Sequence, residues 1–224
     1  MNMTKFAVAL AGLMLPTLAN AATLLTLGQP AKQLANINVA ATATATVGGQ
    51  AVNLTALGAG IRTDKLAVFL PSFNVYVGEL FSDAPQAFAK GRTGDAEIQS
   101  LQSAQNVAFM MTFVYFPAAP GGQVVEAYTT GFSDNHVTMT PALNALMNAV
   151  QASGDIAQND VIEILLHKNA DGSYQLTYSD QNQASPVVIN GDSTLLTSVM
   201  DLWFGGGNTD DGVKNLSNSV LQGM

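Results

Sequence analysis

The sequence predicts an α+β fold, with an antiparallel sheet covered on one face by helices. Three observations lead there. Strand-like and helix-like stretches are segregated along the chain instead of alternating. Residues 106–116, NVAFMMTFVYF, form an apolar run too continuous to face water on one side, and its length and β-branched and aromatic content favour a central strand. Asn169-Ala170-Asp171-Gly172 and Asn190-Gly191 are strong turn signals among three consecutive strand-like runs.

Composition narrows the function classes. The 224 residues suit one domain with extras, or at most two small ones. Hydrophobic residues reach 48% and charged ones only 11%, which supplies a sizeable core and excludes a disordered chain. The net charge of −8 repels nucleic acid and anionic lipid headgroups, so neither is expected as a partner. Its acidic residues are scattered, as simple solubility requires. The absence of cysteine rules out disulfides, thiolate metal sites and a cysteine nucleophile. With only His136 and His167, and with no zinc or EF-hand spacing, no metal and no cofactor are expected.

Taken in order, residues 1–21 read as a secretory signal peptide. Lys5 precedes an apolar run that Pro16 ends, and Ala19 and Ala21 form an A-x-A cleavage site. The mature chain is then expected in the periplasm, with no stable membrane insertion after cleavage. Residues 22–49 are rich in Ala and Thr, and ATATATVGG suggests either an edge strand ending in a Gly48-Gly49 turn or a loose arm. From 52 to 62 the chain alternates. Strict alternation places Leu54, Ala56, Gly58, Gly60 and Arg62 on one face and Thr55, Leu57, Ala59 and Ile61 on the other. Two glycines beside an arginine leave room for a ligand, or for a second backbone to approach. Residues 66–81 are again strand-like, with Pro71-Ser72 marking a bulge or bend and Tyr76 inside the apolar run.

Ser82 or Asp83 is expected to cap a short helix with Pro85 in its first turn. Helices are expected over 95–104, 123–132 and 141–152. In the last of these, Leu143, Leu146, Met147 and Val150 form a core face. Strands follow over 160–166, 173–178 and 186–189. The chain closes with helices over 193–204 and 210–221, separated by Gly205-Gly206-Gly207.

Catalytic constellations are scarce. There is no G-x-S-x-G for a nucleophile elbow, and His136 reads as a polar loop residue, His167 as an exposed strand end. Asp210-Asp211 read as helix-start residues favoured by the macrodipole. Arg62 stands out. Burying it among small apolar residues costs several kcal/mol unless it meets an anion or acceptors, and its planar fork suits a carboxylate, phenolate or enolate. The alternative is a strand-end arginine that points to solvent, with Thr63-Asp64 as its turn.

The runs LGAGIRTDK, NVYVGELF, VVINGD and LWFGGGNTDDGVKNLSNSVL, in that order over residues 50–221, resemble the chalcone isomerase-like superfamily, closest to its bacterial exported members. The resemblance implies an open-faced β-sandwich in which a large antiparallel sheet lies under a helix layer, with the ligand cleft between. It makes Arg62 the oxyanion-stabilising arginine and puts Tyr76 where the isomerases have a threonine. That substitution looks like the fatty-acid-binding branch, in which an arginine and a tyrosine hold a carboxylate. Residues near Pro120, together with Ala127 and Leu202, stand where the isomerases place a tyrosine, an asparagine and a late hydroxyl residue. The expected function is therefore binding of a small amphipathic or aromatic ligand, a fatty-acid-like anion, by Arg62 and Tyr76 beside Gly58 and Gly60, without chalcone isomerase activity. The alternative is an intramolecular lyase (isomerase) acting on an enone with Arg62 as its catalytic group. Domain boundaries are expected at 1–21, 22–49 and 50–224, and the sequence carries no signal for an oligomeric state.

Overall fold

The computed structural model describes residues 23–65, 72–88, 93–115 and 118–224. The signal-peptide reading of 1–21 and the Pro71 bend lie outside the described residues. Eight strands form one wholly antiparallel sheet in the order β1 (Leu25–Leu27), β4 (Thr42–Val47), β5 (Gln50–Asp64), β6 (Phe73–Ser82), β7 (Asn106–Phe113), β8 (Val161–Lys168), β9 (Tyr174–Asp180) and β10 (Val187–Gly191). A separate hairpin, β2 (Pro30–Leu34) with β3 (Ile37–Ala40), completes the strands. The described residues also form five α-helices: α1 (Gly94–Leu101), α2 (Gly121–Asp134), α3 (Pro141–Ala152), α4 (Leu195–Phe204) and α5 (Asp211–Leu221).

The predicted α+β architecture is what forms. β7 is buried at every position, as expected of a central strand flanked on both edges. The largest core joins the inner face of β5–β10 to the helices, through Phe109, Met111, Ile164, Tyr178, Leu143, Leu146, Trp203 and Leu216 among others. Helix limits follow local chemistry. Thr140 accepts from Leu143 N with Pro141 in the first turn, and Asp210 accepts from Val213 N. The short 3-10 turn Pro85–Ala87 has no side-chain cap; the Ser82 hydroxyl instead accepts from Ala84 N at 3.0 Å.

The sequence leaves residues 22–49 open between an edge strand and a loose arm. In the structure β1 and β4 belong to the main sheet, and Gly48-Gly49 make the β4–β5 turn with φ of 56° and 81°. The sheet curls so far that Leu24 N, just before β1, and Leu25 N at its start donate to Glu163 on β8. A second core lies on the outer face of the sheet, the one turned away from the helices and enclosed by this curl, with Leu25, Ala43, Ala45, Leu54, Phe81, Met110 and Leu165. The β2–β3 hairpin covers Ala59 and Val77 on the same outer face through Val39.

Strict alternation along β5 does not hold. Ala56 pairs with Phe81 and Gly58 with Leu80, which leaves Leu57 as an extra residue, a β-bulge. Leu54 and Ala56 therefore face the outer core, whereas Gly58, Gly60 and Arg62 are turned toward the helices. One inserted residue reverses the face of everything after it. A second bulge, at Val75 between the pairs Arg62–Tyr76 and Thr63–Asn74, falls close to the bend expected from Pro71-Ser72. Asn190 and Gly191 are still paired in β10, with Gln175 and Tyr174, and the turn is made after them by Asp192, which accepts from Thr194 N and Oγ1.

Candidate functional site

The first bulge sets Arg62 on the helix-facing side of β5, directly across from Tyr76 on β6. There the two help line a cavity of about 490 Å³ between the sheet, α2 and the start of α5. Its apolar wall is aromatic. Phe73 and Tyr115 pack at 4.6 Å between ring centroids, Tyr76 and Phe113 at 5.4 Å, and Trp203 meets Tyr128 edge-on at 5.8 Å. Val75, Met111, Val124 and Leu202 fill the rest of it. A cavity of this size, largely apolar with a few convergent polar groups, is the usual form of a small-molecule site.

Arg62 is neither an unpaired hook nor a solvent-facing strand end. Its side chain is 15% exposed, and Nη2 donates to Asp210 Oδ2 at 2.7 Å, with Asp64 at 3.6 Å. Burial opposes the charge of Arg62, but the carboxylates of Asp210 and Asp64 and the hydrogen bond to Asp210 outweigh it at neutral pH, and the guanidinium stays protonated. Burial likewise opposes the Asp210 carboxylate. The Arg62 charge, the Val213 N–H and the Arg62 hydrogen bond prevail, and its pKa lies below the usual carboxylate range.

Asp210 is held firmly. Its Oδ1 caps α5 through Val213 N at 3.0 Å. The glycine-rich loop before it is tied down at three points: Gly206 N donates to Asp95, Gly207 N to Asn135, and Thr209 N and Oγ1 to Asp134. Asn135 Nδ2 in turn lies 2.9 Å from each of three acceptors, the carbonyls of Gly131 and Asp201 and Asn208 Oδ1, among which its two hydrogens are shared.

Tyr76 is buried, and its hydroxyl accepts from Trp203 Nε1 at 3.0 Å. Burial pushes its pKa up to about 12, against the opposing pull of Arg62 and Trp203. Its own proton therefore stays in place at neutral pH as a donor. Tyr128 is also buried, with its pKa raised well above the ordinary value by burial first, and among the described residues its hydroxyl reaches the Met111 sulfur alone, at 4.0 Å.

Gly58 and Gly60 occupy a different place from the one expected of ligand contacts. A Cβ on Gly58 would stand 2.0 Å from the carbonyl oxygen of Val220, and one on Gly60 would stand 2.6 Å from that of Leu216. They lie under α5 and are not among the cavity-lining residues; of the two roles their sequence left open, close backbone approach is the one they fill. Ala127 and Leu202 do line the cavity, and neither brings a hydroxyl or amide to it. His136 is an exposed loop residue with φ 54°, whereas His167 is partly buried within β8, with Nδ1 2.8 Å from Asn106 Oδ1.

Sequence reasoning missed Asp210 as a site residue, and also Trp203, Tyr128, Phe73 and Tyr115. For Asp210 a signal existed: a helix-capping acid in a chain with one arginine amid small residues. The chain's single tryptophan was a second such signal.

No family model and no curated protein matches the chain. Among solved structures it is similar to the fatty-acid binding protein AtFAP1 of Arabidopsis thaliana, with a TM-score of 0.50 and 15% sequence identity. The match covers 80% of this chain and 96% of that one. Likeness at that identity concerns the fold. Together with the large curled antiparallel sheet under its layer of helices, it establishes that this chain has the chalcone isomerase-like fold.

Proposed function

We propose that this protein binds a small amphipathic, fatty-acid-like molecule in the cavity between sheet and helices. The oxygen-bearing head sits against Arg62 and Tyr76, and the apolar body lies along Phe73, Phe113, Tyr115 and Trp203. The observation that carries this reading is the union of one polar end with an aromatic wall in a single cavity. Arg62 has five N–H donors, of which Asp210 occupies one, and Tyr76 keeps its own hydroxyl proton to donate. The AtFAP1 likeness supports ligand binding by this fold, since that protein is a fatty-acid binding protein. The −3/−1 alanines before Ala22 support export to the periplasm.

Titration of delipidated protein with saturated fatty acids, and with the matching primary alcohols, of increasing length tests the reading. Each methylene should add about 0.8 kcal/mol, roughly fourfold in affinity, until the cavity is full. Absence of binding at every length, with no amphiphile carried through purification in native mass spectra, would overturn it.

The second reading, an intramolecular lyase on an enone, draws on the same donors. Arg62 and Tyr76 would stabilise an oxyanion, and the aromatic wall would hold a planar substrate. With Ala127 and Leu202 offering no polar group, we expect a chalcone to keep its enone absorbance in the presence of the protein. Catalysed loss of that absorbance, abolished in Arg62→Ala, would reverse the order of the two readings.

A further inference from the structure

Arg62 faces its cavity already paired. The ion pair with Asp210 is the shortest contact its guanidinium makes to a carboxylate, and Asp64 adds a second acid at 3.6 Å. Asp210 is not free to swing aside, because its other oxygen caps α5 and the loop before it is anchored to Asp95, Asp134 and Asn135. The ionisable groups around the head region come from every element that borders it: Arg62, Asp64 and Lys65 from β5 and its end, Tyr76 from β6, Glu126 and Asp134 from α2, and Asp210 from the cap of α5. Among the described residues lining the cavity, two cations therefore stand against four carboxylates.

A full anion entering this space meets an arginine whose charge is already neutralised, one further cation in Lys65, and three further carboxylates. Like charges brought together in a partly dry site cost several kcal/mol. An uncharged oxygen head meets no such barrier. Its oxygen can accept from the remaining guanidinium N–H groups and from the Tyr76 hydroxyl, while Asp210 stays where it is.

We infer that Asp210 is a specificity-determining residue that makes the cavity select the uncharged form of a polar head (a protonated carboxylic acid, a primary amide or an alcohol) over the carboxylate anion. The inference rests on the ligand-binding reading above and changes the expectation of an anionic ligand. Selection works by pre-neutralisation. Only when the charge of Asp210 is removed does Arg62 become an anion site, because a buried, unpaired guanidinium then needs a counter-charge.

The test uses one chain with three heads, octanoic acid, octanamide and octan-1-ol, titrated calorimetrically into the wild type and Asp210→Asn. Asparagine is as good a helix cap as aspartate, so the start of α5 is retained. At about pH 7.5 the wild type should bind the amide and the alcohol at least about tenfold more tightly than octanoate, and the acid should gain as pH falls toward its ordinary range near 5. In Asp210→Asn, octanoate should gain at least about tenfold while the alcohol changes less than about threefold. Asp210→Ser, an uncharged cap of a different shape, should reproduce that reversal. Octanoate preferred by the wild type at neutral pH, or no gain for octanoate in either variant, would overturn the inference and leave ligand binding intact. Binding of none of the three heads by the wild type would overturn the ligand-binding reading and the inference together.

Discussion

Trp203 on α4 donates its indole N–H to the hydroxyl of Tyr76 on β6, 127 residues away in sequence, at 3.0 Å. Both residues are buried, and the indole also packs on Phe109 with 4.4 Å between ring centroids. This contact ties the helix layer to the sheet beneath the cavity. It also aims the phenol, since a hydroxyl that accepts from the indole must direct its own proton elsewhere.

Tyr76→Phe should therefore cost stability as well as affinity. Removing the acceptor leaves a buried indole N–H unpaired, at about 1–3 kcal/mol. For a domain of this size that lowers the thermal midpoint by roughly 2–4 °C per kcal/mol. Scanning calorimetry checks the loss, and an unchanged midpoint would show that the hydrogen bond contributes nothing net.

Arg62→Met should behave in the opposite way. Asp210 is 41% exposed and keeps its Val213 cap, so losing the ion pair should change stability by no more than about 1 kcal/mol. Ligand affinity should fall by about 10–100-fold, the worth of a hydrogen bond from a charged donor. Arg62→Lys should recover only part of it, because an ammonium lacks the planar fork. Calorimetric titration with the octyl series separates the three proteins, and wild-type affinity in Arg62→Met would remove the arginine from the site.

Gly58→Ala should destabilise the fold without touching the cavity. The new methyl would lie 2.0 Å from the Val220 carbonyl oxygen, a backbone atom that yields only if α5 moves. Overpacking of this kind costs about 1–3 kcal/mol. Urea unfolding measures it, and a wild-type midpoint would mean that α5 does not pack on β5 as closely as described.

Glu79 makes the stability of the protein pH-dependent. It is fully buried on the outer face; Oε2 accepts from Ala40 N at 2.9 Å, while Oε1 has no partner among the described residues. Burial raises its pKa from 4.5 to about 7, against the Ala40 hydrogen bond and the Lys32 charge. Between those values the folded chain holds a proton that the unfolded chain releases. The contribution of Glu79 to stability is therefore greatest below about 4.5, falls as pH rises to about 7, and levels off above, by about 3 kcal/mol in all. Glu79→Gln should flatten that slope in unfolding curves measured across the window. Parallel slopes in the two proteins would assign the pH dependence to other groups.

Much of the fold was legible because it is written in local chemistry. The helix start at Pro141, the acidic start of the last helix at Asp210-Asp211, the Gly48-Gly49 turn and the apolar run that opens at Asn106 each act over a few residues, and each lies where the sequence put it. The site was legible only in part. Arg62 and Tyr76 do face each other at one cavity, yet Gly58 and Gly60 serve helix packing, and the carboxylate beside Arg62 belongs to the protein itself.

What the amino-acid order determined by itself was the set of elements and the presence of one arginine among small apolar residues. Tertiary structure decided which way that arginine points and what it meets. The Leu57 bulge is invisible to a two-residue period, because one inserted residue leaves the pattern apolar while reversing its faces. The partner of Arg62 lies 148 residues further along the chain, so only the packing of α5 on β5 brings the two charges together.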